Sequence, residues 1–259
     1  MNIAAPTTIR LAGETVLLDP SGAAFLPDHA ILIVADLHLE KAAAFARRGA
    51  LLPPYDSLAT LVRLEGAAVR LKPRRIVSLG DGFHDSAGAR LITGEAADRL
   101  EALSARYELD WLAGNHDPHL PSTLPGRRSD TLHIGRLTLR HLPDGGGADG
   151  TGICGHLHPK ARIAGRHGTL RLSCFVHDHR RLLMPAFGTF TGGLNVLDPA
   201  IAGLFATGSR IHVMGEHRLH PASPARLRPD PADWRRHILG DRPCPASPDF
   251  PQPGKRTDR

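Results

Sequence analysis

Apolar and polar positions alternate in some stretches of this chain and run unbroken in others, and the difference divides it into two textures. Near the start, Thr8 to Leu11, Glu14 to Leu18 and Ala24 to Leu26 alternate between turn signals, which predicts short antiparallel strands opening a sheet. Ile31-Leu32-Ile33-Val34-Ala35 is apolar throughout, as a strand buried on both faces requires, and it stops at Asp36. Leu39 to Arg48 reads as a helix ended by Gly49, and Pro53-Pro54 marks a loop. A second helix follows, capped by Asp56 or Ser57, with Leu58, Leu61, Val62 and Val69 on its expected apolar face. The unit then repeats. Strand Arg75 to Leu79 delivers Gly80-Asp81, a helix covers Glu95 to Arg106, and strand Leu109 to Ala113 delivers Gly114-Asn115-His116.

Strands alternating with helices imply a largely parallel sheet. Sites in such sheets form outside the carboxyl ends of the strands, so three apolar runs that end in ligand-type residues point to one shared edge. After His116 the segments shorten and glycines interrupt them: Thr131 to Ile134, Leu137 to His141, Arg162 to Ala164, Thr169 to Leu172, Leu182 to Pro185 and Leu194 to Leu197. These predict a second, more antiparallel sheet stacked on the first. From Gly215 the chain holds nine of its 22 prolines and little periodicity, with only Ala232 to Leu239 suited to a short helix. The expectation is a domain over residues 1–214 and a basic, Pro-rich, flexible tail over 215–259, with a DNA-contacting extension as the sharper reading of the tail.

Length and composition change this picture little. The 259 residues, 41% of them hydrophobic, suit one sizeable α/β domain or two small ones with a packed core. No apolar stretch approaches a membrane span, and the first ten residues lack a signal pattern, so no membrane partner is expected. Three scattered cysteines argue against a disulfide framework, and a reducing cytoplasm is the simple reading. The net charge of +6 is uneven: ten Lys or Arg against six Asp or Glu from Gly208 onward give +4, and 22 against 20 in the rest give +2. That balance permits a polyanionic ligand without demanding one.

The chemistry lies in five short clusters: Asp36-x-His38, Gly80-Asp81, Gly114-Asn115-His116-Asp117, His141 and Gly155-His156-x-His158. Divalent ions that do phosphoryl chemistry want carboxylates, imidazoles and an amide oxygen, with positions left open for water and substrate. Asp36 and His38 both reach one ion only where a strand gives way to a loop. Asp81, a short carboxylate after a glycine, can bridge two ions. Asn115 offers a neutral oxygen, which keeps the site positive enough for phosphate. His156 and His158 flank Leu157 in an extended geometry that directs two imidazoles at neighbouring ions. His133 competes with His141 for its place. His119, His167, His177 and His179 read as exposed loop histidines, Cys174 as a small core residue in a strand, and Arg127-Arg128 as surface arginines able to meet a DNA backbone.

The five blocks, in order, resemble the calcineurin-like metallophosphoesterases, whose pattern runs D-x-H, G-D, G-N-H-[DE], H, G-H-x-H. One block departs from many relatives, since Leu142 rather than glycine follows His141. The resemblance implies a four-layer α-β-β-α sandwich with two stacked mixed sheets. It implies one metal held by Asp36, His38, Asp81 and His158, and a second held by Asp81, Asn115, His141 and His156. His116 would be the catalytic histidine at the leaving group, with Asp117 orienting its ring.

A narrower likeness rests on Ala35-Asp36-Leu37-His38-Leu39-Glu40-Lys41, Leu52-Pro53-Pro54-Tyr55-Asp56 and Gly80-Asp81-x-Phe83-His84-Asp85. Gly114-Asn115-His116-Asp117-Pro118, Gly155-His156-Leu157-His158-Pro159-Lys160 and Pro185-Ala186-Phe187-Gly188-x-x-x-Gly192-Gly193 complete it. These blocks look like the PdeM family, the ligase-associated DNA damage response endonucleases, from about Leu18 to Phe205. The likeness implies a manganese-dependent phosphodiesterase acting on DNA, with Zn2+, Fe2+ or Mg2+ as other metals the ligands accept, and a DNA ligase, helicase and exonuclease as partners in repair. His84 would position the substrate phosphate or brace the shell around it. Two other functions compete: a phosphodiesterase or pyrophosphatase for small nucleotides, and a metal-dependent DNA-binding scaffold with negligible turnover. The intact His116 and full ligand set weigh against the scaffold.

Overall fold

The computed structural model describes residues 6–143, 150–166, 168–205 and 208–231. In the first sheet, β1 (Thr7–Leu11), β2 (Glu14–Leu18), β3 (Ala24–Leu26) and β4 (Ile31–Val34) run antiparallel in sequence order. The chain then passes through helices α1 (Lys41–Ala46) and α2 (Asp56–Leu71) to β5 (Arg75–Ser78), and through α3 (Gly88–Leu91) and α4 (Gly94–Arg106) to β6 (Glu108–Leu112). Both crossings are parallel, with Val34 level with Ser78 and Ser78 level with Trp111. A short seventh strand, β7 (Arg127–Ser129), adds a parallel edge that the hydrophobic pattern did not reveal, because all three residues are exposed.

The second sheet collects β8 (Thr131–Ile134), β9 (Leu137–Arg140), β10 (Gly152–Cys154), β11 (Lys160–Gly165), β12 (Gly168–His177) and β13 (Arg181–Leu183). After the one-turn helix α5 (Pro199–Ala202) it is completed by β14 (Arg210–Met214) and β15 (Leu219–Pro221). Its order is β15-β14-β12-β13-β10-β9-β8, with β11 paired to β12. Only the β9–β10 and β10–β13 pairs are parallel. Leu194 to Leu197, expected as a strand, contributes a single bridge from Asn195 to Lys160.

The sheets face each other across one apolar layer. Ile31, Ile33, Val77, Leu79 and Leu112 of the first meet Leu137, Leu139, Ile153, Phe175 and Leu182 of the second. The other face of β4, Leu32 and Val34, packs with Leu61 and Leu64 of α2 and Leu100 and Leu103 of α4. That division explains the unbroken apolar run: each alternate side chain has its own core. On the far side of the second sheet, Cys174, Val176 and Val213 are covered by Val196, Ile201, Phe205 and Leu227. The layers are therefore helix, sheet, sheet, and an outer cover in which α5 is the only α-helix among the described residues, beside a 3-10 turn at Pro224–Arg226.

The apolar face of α2 differs from the reading of its sequence. Val62 and Val69 are exposed, whereas Ser57, Thr60, Leu61, Leu64, Ala67 and Ala68 are buried. Small side chains at helical spacing let α2 lie close to the sheet, and the two valines face outward. Nor do Asp56 and Ser57 cap it. Asp56 accepts a hydrogen bond from the Ala42 amide and Ser57 Oγ one from the Glu40 amide, so both pin the start of α1.

The compact unit extends past the expected boundary at residue 214 and reaches Pro229. β15 pairs with β14, and Leu219 and Leu227 are buried in two different cores. Prolines there shape a fixed path rather than freeing it. The residues after Pro231, with the expected helix Ala232 to Leu239 among them, lie outside the described residues. No described helix is long and apolar enough to cross a membrane.

Candidate metal centre

Past their last paired residues, β4 and β5 continue side by side. The Asp36 amide donates to Gly80 O, His38 to Asp81 O and Leu39 to Gly82 O, and the His84 amide returns to Leu39 O. Asp36-x-His38 and Gly80-Asp81 are thus held in register beyond the sheet. The second sheet meets them from below the same edge. The Gly155 amide donates to His141 O, Met184 to Cys154 O, and Phe187 and Gly188 donate to Ala35 O and Asp36 O. The carboxyl ends of strands from both sheets therefore converge on one point, which is where an α/β sheet places its site.

Seven side chains separated by up to 122 positions in sequence (Asp36 to His158) meet there. Asp36 Oδ1 lies 3.2 Å from His158 Nε2, and His158 Nε2 lies 3.4 Å from His38 Nε2. On the other side, His141 Nε2 is 2.8 Å from Asn115 Oδ1 and 3.2 Å from His156 Nδ1. Asp81 Oδ2 sits between the groups, 3.9 Å from His38 Nε2 and 3.4 Å from His141 Nε2. Asp36, His38 and His158 form one potential metal-holding set, and Asp81, His141 and His156 another. His133 is not part of either; it is exposed on β8 and its ring faces Thr138 Oγ1.

The donor chemistry fits a cation. Ligands about 2 Å from one ion lie roughly 3 Å apart around it, the spacing these atoms show. His141 Nδ1 faces Leu79 O at 2.8 Å, so one proton belongs on Nδ1, where it fixes the ring and turns Nε2 toward Asn115 Oδ1. Two acceptors that close need a proton or a metal between them. His38 Nδ1 and His84 Nδ1 are buried with no hydrogen-bond partner among the described residues.

Electrostatics carry the same message. Burial works to raise the Asp36 and Asp81 carboxyls, but the surrounding histidines outweigh it and both end below the usual carboxylate range. Burial lowers His38 to about 3 and His156 to about 4, leaving both rings neutral lone-pair donors at pH 7. Burial also opposes a charge on His141, yet Asp81 and Asp36 raise it to about 9. Two buried carboxylates thus demand positive charge, and in the protein alone His141 supplies it.

The loop glycines make room. A Cβ on Gly155 would lie 2.6 Å from Asp36 Oδ2, and one on Gly114 would collide with the Asp81 backbone and carboxylate. The sequence signal was present, since a glycine precedes Asp81, Asn115 and His156, but its reason was invisible until the loops were seen to touch.

His116 is exposed beside this cluster, its ring edge-on to His38 with centroids 5.1 Å apart. Its Nδ1 lies 2.9 Å from the backbone carbonyl of His84, which orients the ring. Asp117 does not do so. It is buried, and its carboxylate accepts from the Phe83 and Gly114 amides, tying the Gly114–Asp117 turn to the loop after β5. Burial, with repulsion from Asp81, pushes its carboxyl up to about 7. The His84 ring is tilted against His116 at 5.2 Å and is pushed down to about 4, mainly by burial and by nearby Lys41.

Other expectations resolve elsewhere. Arg127 is engaged by Glu108 and Asp110, and Arg128 donates to Pro121 O and Leu124 O, so both serve the β6–β7 edge. Cys174 is fully buried in β12. His177, expected on an exposed loop, ends β12 and is buried, whereas His119 and His179 are in loops as expected and His167 lies outside the described residues.

Two stacked mixed sheets, helices over one face and a shared strand-end edge make this the α/β fold of the metallophosphoesterases. The structure superposes on Pseudomonas putida nuclease MPE with a TM-score of 0.65 and 27% identity, over 84% of this chain and 100% of that one. A phosphoesterase from E. coli overlaps more loosely, at a TM-score of 0.32 and 15% identity over 72% of this chain and 88% of that one. No protein-family model and no curated protein sequence matches the chain.

Proposed function

We propose that this protein is a metal-dependent phosphodiesterase that cleaves DNA internally, in a repair role alongside a ligase, helicase and exonuclease. The carrying observation is Asp81, whose Oδ2 reaches toward both sets of imidazoles, as a carboxylate shared by two ions must. The first ion is assigned to Asp36, His38, Asp81 and His158, the second to Asp81, Asn115, His141 and His156. Manganese is the preferred metal, since carboxylate, amide and imidazole ligands together suit it. Bound ions would supply Lewis acidity, acidifying a water and offsetting charge on the phosphate oxygens. The PdeM-like blocks and the likeness to a nuclease support DNA as substrate.

The chain's own groups do the rest. Asp36 and Asp81 fix the positive charge at the floor of the site, out of solvent. His116, with its Nδ1 proton held by the His84 carbonyl, presents Nε2 to the departing sugar oxygen and, in its doubly protonated form, gives that oxygen the Nε2 proton and is left neutral. His84, whose ring lies 5.2 Å from that of His116, is assigned to positioning the substrate phosphate.

Nicking of supercoiled plasmid with a metal series tests this. Manganese-dependent nicking is expected, vanishing in Asp81→Ala together with bound metal. In His116→Ala the rate should drop about 10²-fold or more with metal retained. Cleavage of free nucleotides with plasmid left intact would refute the DNA reading.

A further inference from the structure

A second meeting of histidines lies away from this centre. In the antiparallel pairing of β12 with β14, Phe175 is opposite His212 and His177 is opposite Arg210. His177 therefore stands diagonally from His212, two residues along the same strand face. Their rings are nearly parallel, at 15° with centroids 5.2 Å apart, and Nε2 of one is 3.1 Å from Nε2 of the other. His177 Nδ1 faces the Asp178 carbonyl at 3.2 Å. That acceptor calls for the proton on Nδ1 and leaves a lone pair on Nε2, the arrangement by which backbone carbonyls orient metal-binding imidazoles.

The spacing fits an N–H···N hydrogen bond and also two nitrogens that share one ion. Two imidazole nitrogens at about 2.0–2.1 Å from one ion are roughly 2.9 to 3.4 Å apart for right-angled to tetrahedral geometry. The observed 3.1 Å falls inside that range. His177 is buried and His212 half-buried, and each turns Nε2 toward the other. The pair lines an open cavity of about 890 Å³ whose wall includes Thr8, Arg10, Ser209 and Arg210, giving an ion access to water.

We propose that His177 and His212 form a separate mononuclear site for a borderline transition metal, Zn2+ or Cu2+, with water filling the remaining positions. Its two donors are imidazoles, and the Asp178 carboxylate in the cavity wall is engaged by the Arg180 and Arg181 amides, so the site discriminates against Mn2+ and Mg2+, which want oxygen. The proposal does not depend on the hydrolytic reading.

The test counts Zn2+ bound per chain by equilibrium dialysis and elemental analysis. His212→Phe keeps a ring in the stack and removes the nitrogen. It should bind one Zn2+ fewer than the parent, with manganese-supported hydrolysis of bis-p-nitrophenyl phosphate within about twofold, because distant sites act independently. In an Asp81→Ala background, damaged at the main centre, one Zn2+ should remain and disappear on adding His212→Phe. Cu2+ bound to that background should show coupling to two nitrogens in its electron paramagnetic resonance spectrum. Circular dichroism checks folding, and His177→Gln replaces His212→Phe should the latter unfold. Equal Zn2+ counts in the parent and in a folded variant overturn the proposal.

Discussion

Asp36, His38, Asp81, His156 and His158 all have positive φ, at 53°, 44°, 46°, 74° and 45°. They make up half of the ten non-glycine residues in that region among the described residues. A left-handed L-residue costs roughly 1 kcal/mol or more, so the surrounding loops must impose the conformation. Gly155 is part of that imposition, and Gly155→Ala should drive a methyl against Asp36. Manganese affinity, read by calorimetry, should fall about tenfold or more, the range seen when a ligand loses its support. Gly192→Ala, whose Cβ would meet nothing within 4 Å, is the control and should leave affinity unchanged. Asp117 tests a different link. Its replacement by alanine strands two buried amides, so urea unfolding should show a loss of about 1–3 kcal/mol. A variant as stable as the parent would mean the turn is held by other bonds.

Strands fed by continuous apolar runs were legible in the sequence, and those held by charge were not. β4, β5 and β6 could be read because both faces are buried, and each pointed to its ligand cluster. β7 carries no apolar residue; besides its backbone pairing with β6 it is tied down by Arg127, which pairs with Glu108 and with the buried Asp110 that also holds Arg75. No periodicity records such a bond. Burial works to raise the Asp110 carboxyl, but hydrogen bonds from Arg75 and Arg127 outweigh it and keep it below its ordinary value. A carboxyl lowered on folding contributes stability above its unfolded pKa, about 4, and loses it as pH falls through the folded value. Asp110→Asn should therefore cost about 2 kcal/mol at pH 7, below the roughly 3–5 kcal/mol of a fully buried broken pair because Arg127 is largely solvated. The gap between variant and parent should close as unfolding is repeated toward pH 3. A gap that persists into acid would trace the cost to packing.

At the scale of the molecule, composition misplaced one boundary and the two-sheet architecture corrects it. Proline density after Gly215 suggested a tail, yet Leu219 enters the layer between the sheets and Leu227 the cover of the second. Arg228 then donates from its amide to Arg162 O and accepts from Asn195 Nδ2, and Arg162 reaches Pro229 O. Those bonds hold the segment across β11, far along the chain from where it began. A chain ending at Met214 forfeits β15 and both leucines, each about 1.5–3 kcal/mol of burial, and leaves one edge of β14 unpaired. A chain ending at Pro229 forfeits none of this. The shorter chain should melt well below the full protein or fail to stay soluble, while the longer should match the full protein in melting temperature and in manganese-dependent nicking. Equal melting of the shorter chain would show that the segment only rests on the fold. A longer chain that melts normally but nicks poorly would assign the residues after Pro229 to DNA contact, made by individual side chains, since six Lys or Arg there stand against five Asp or Glu.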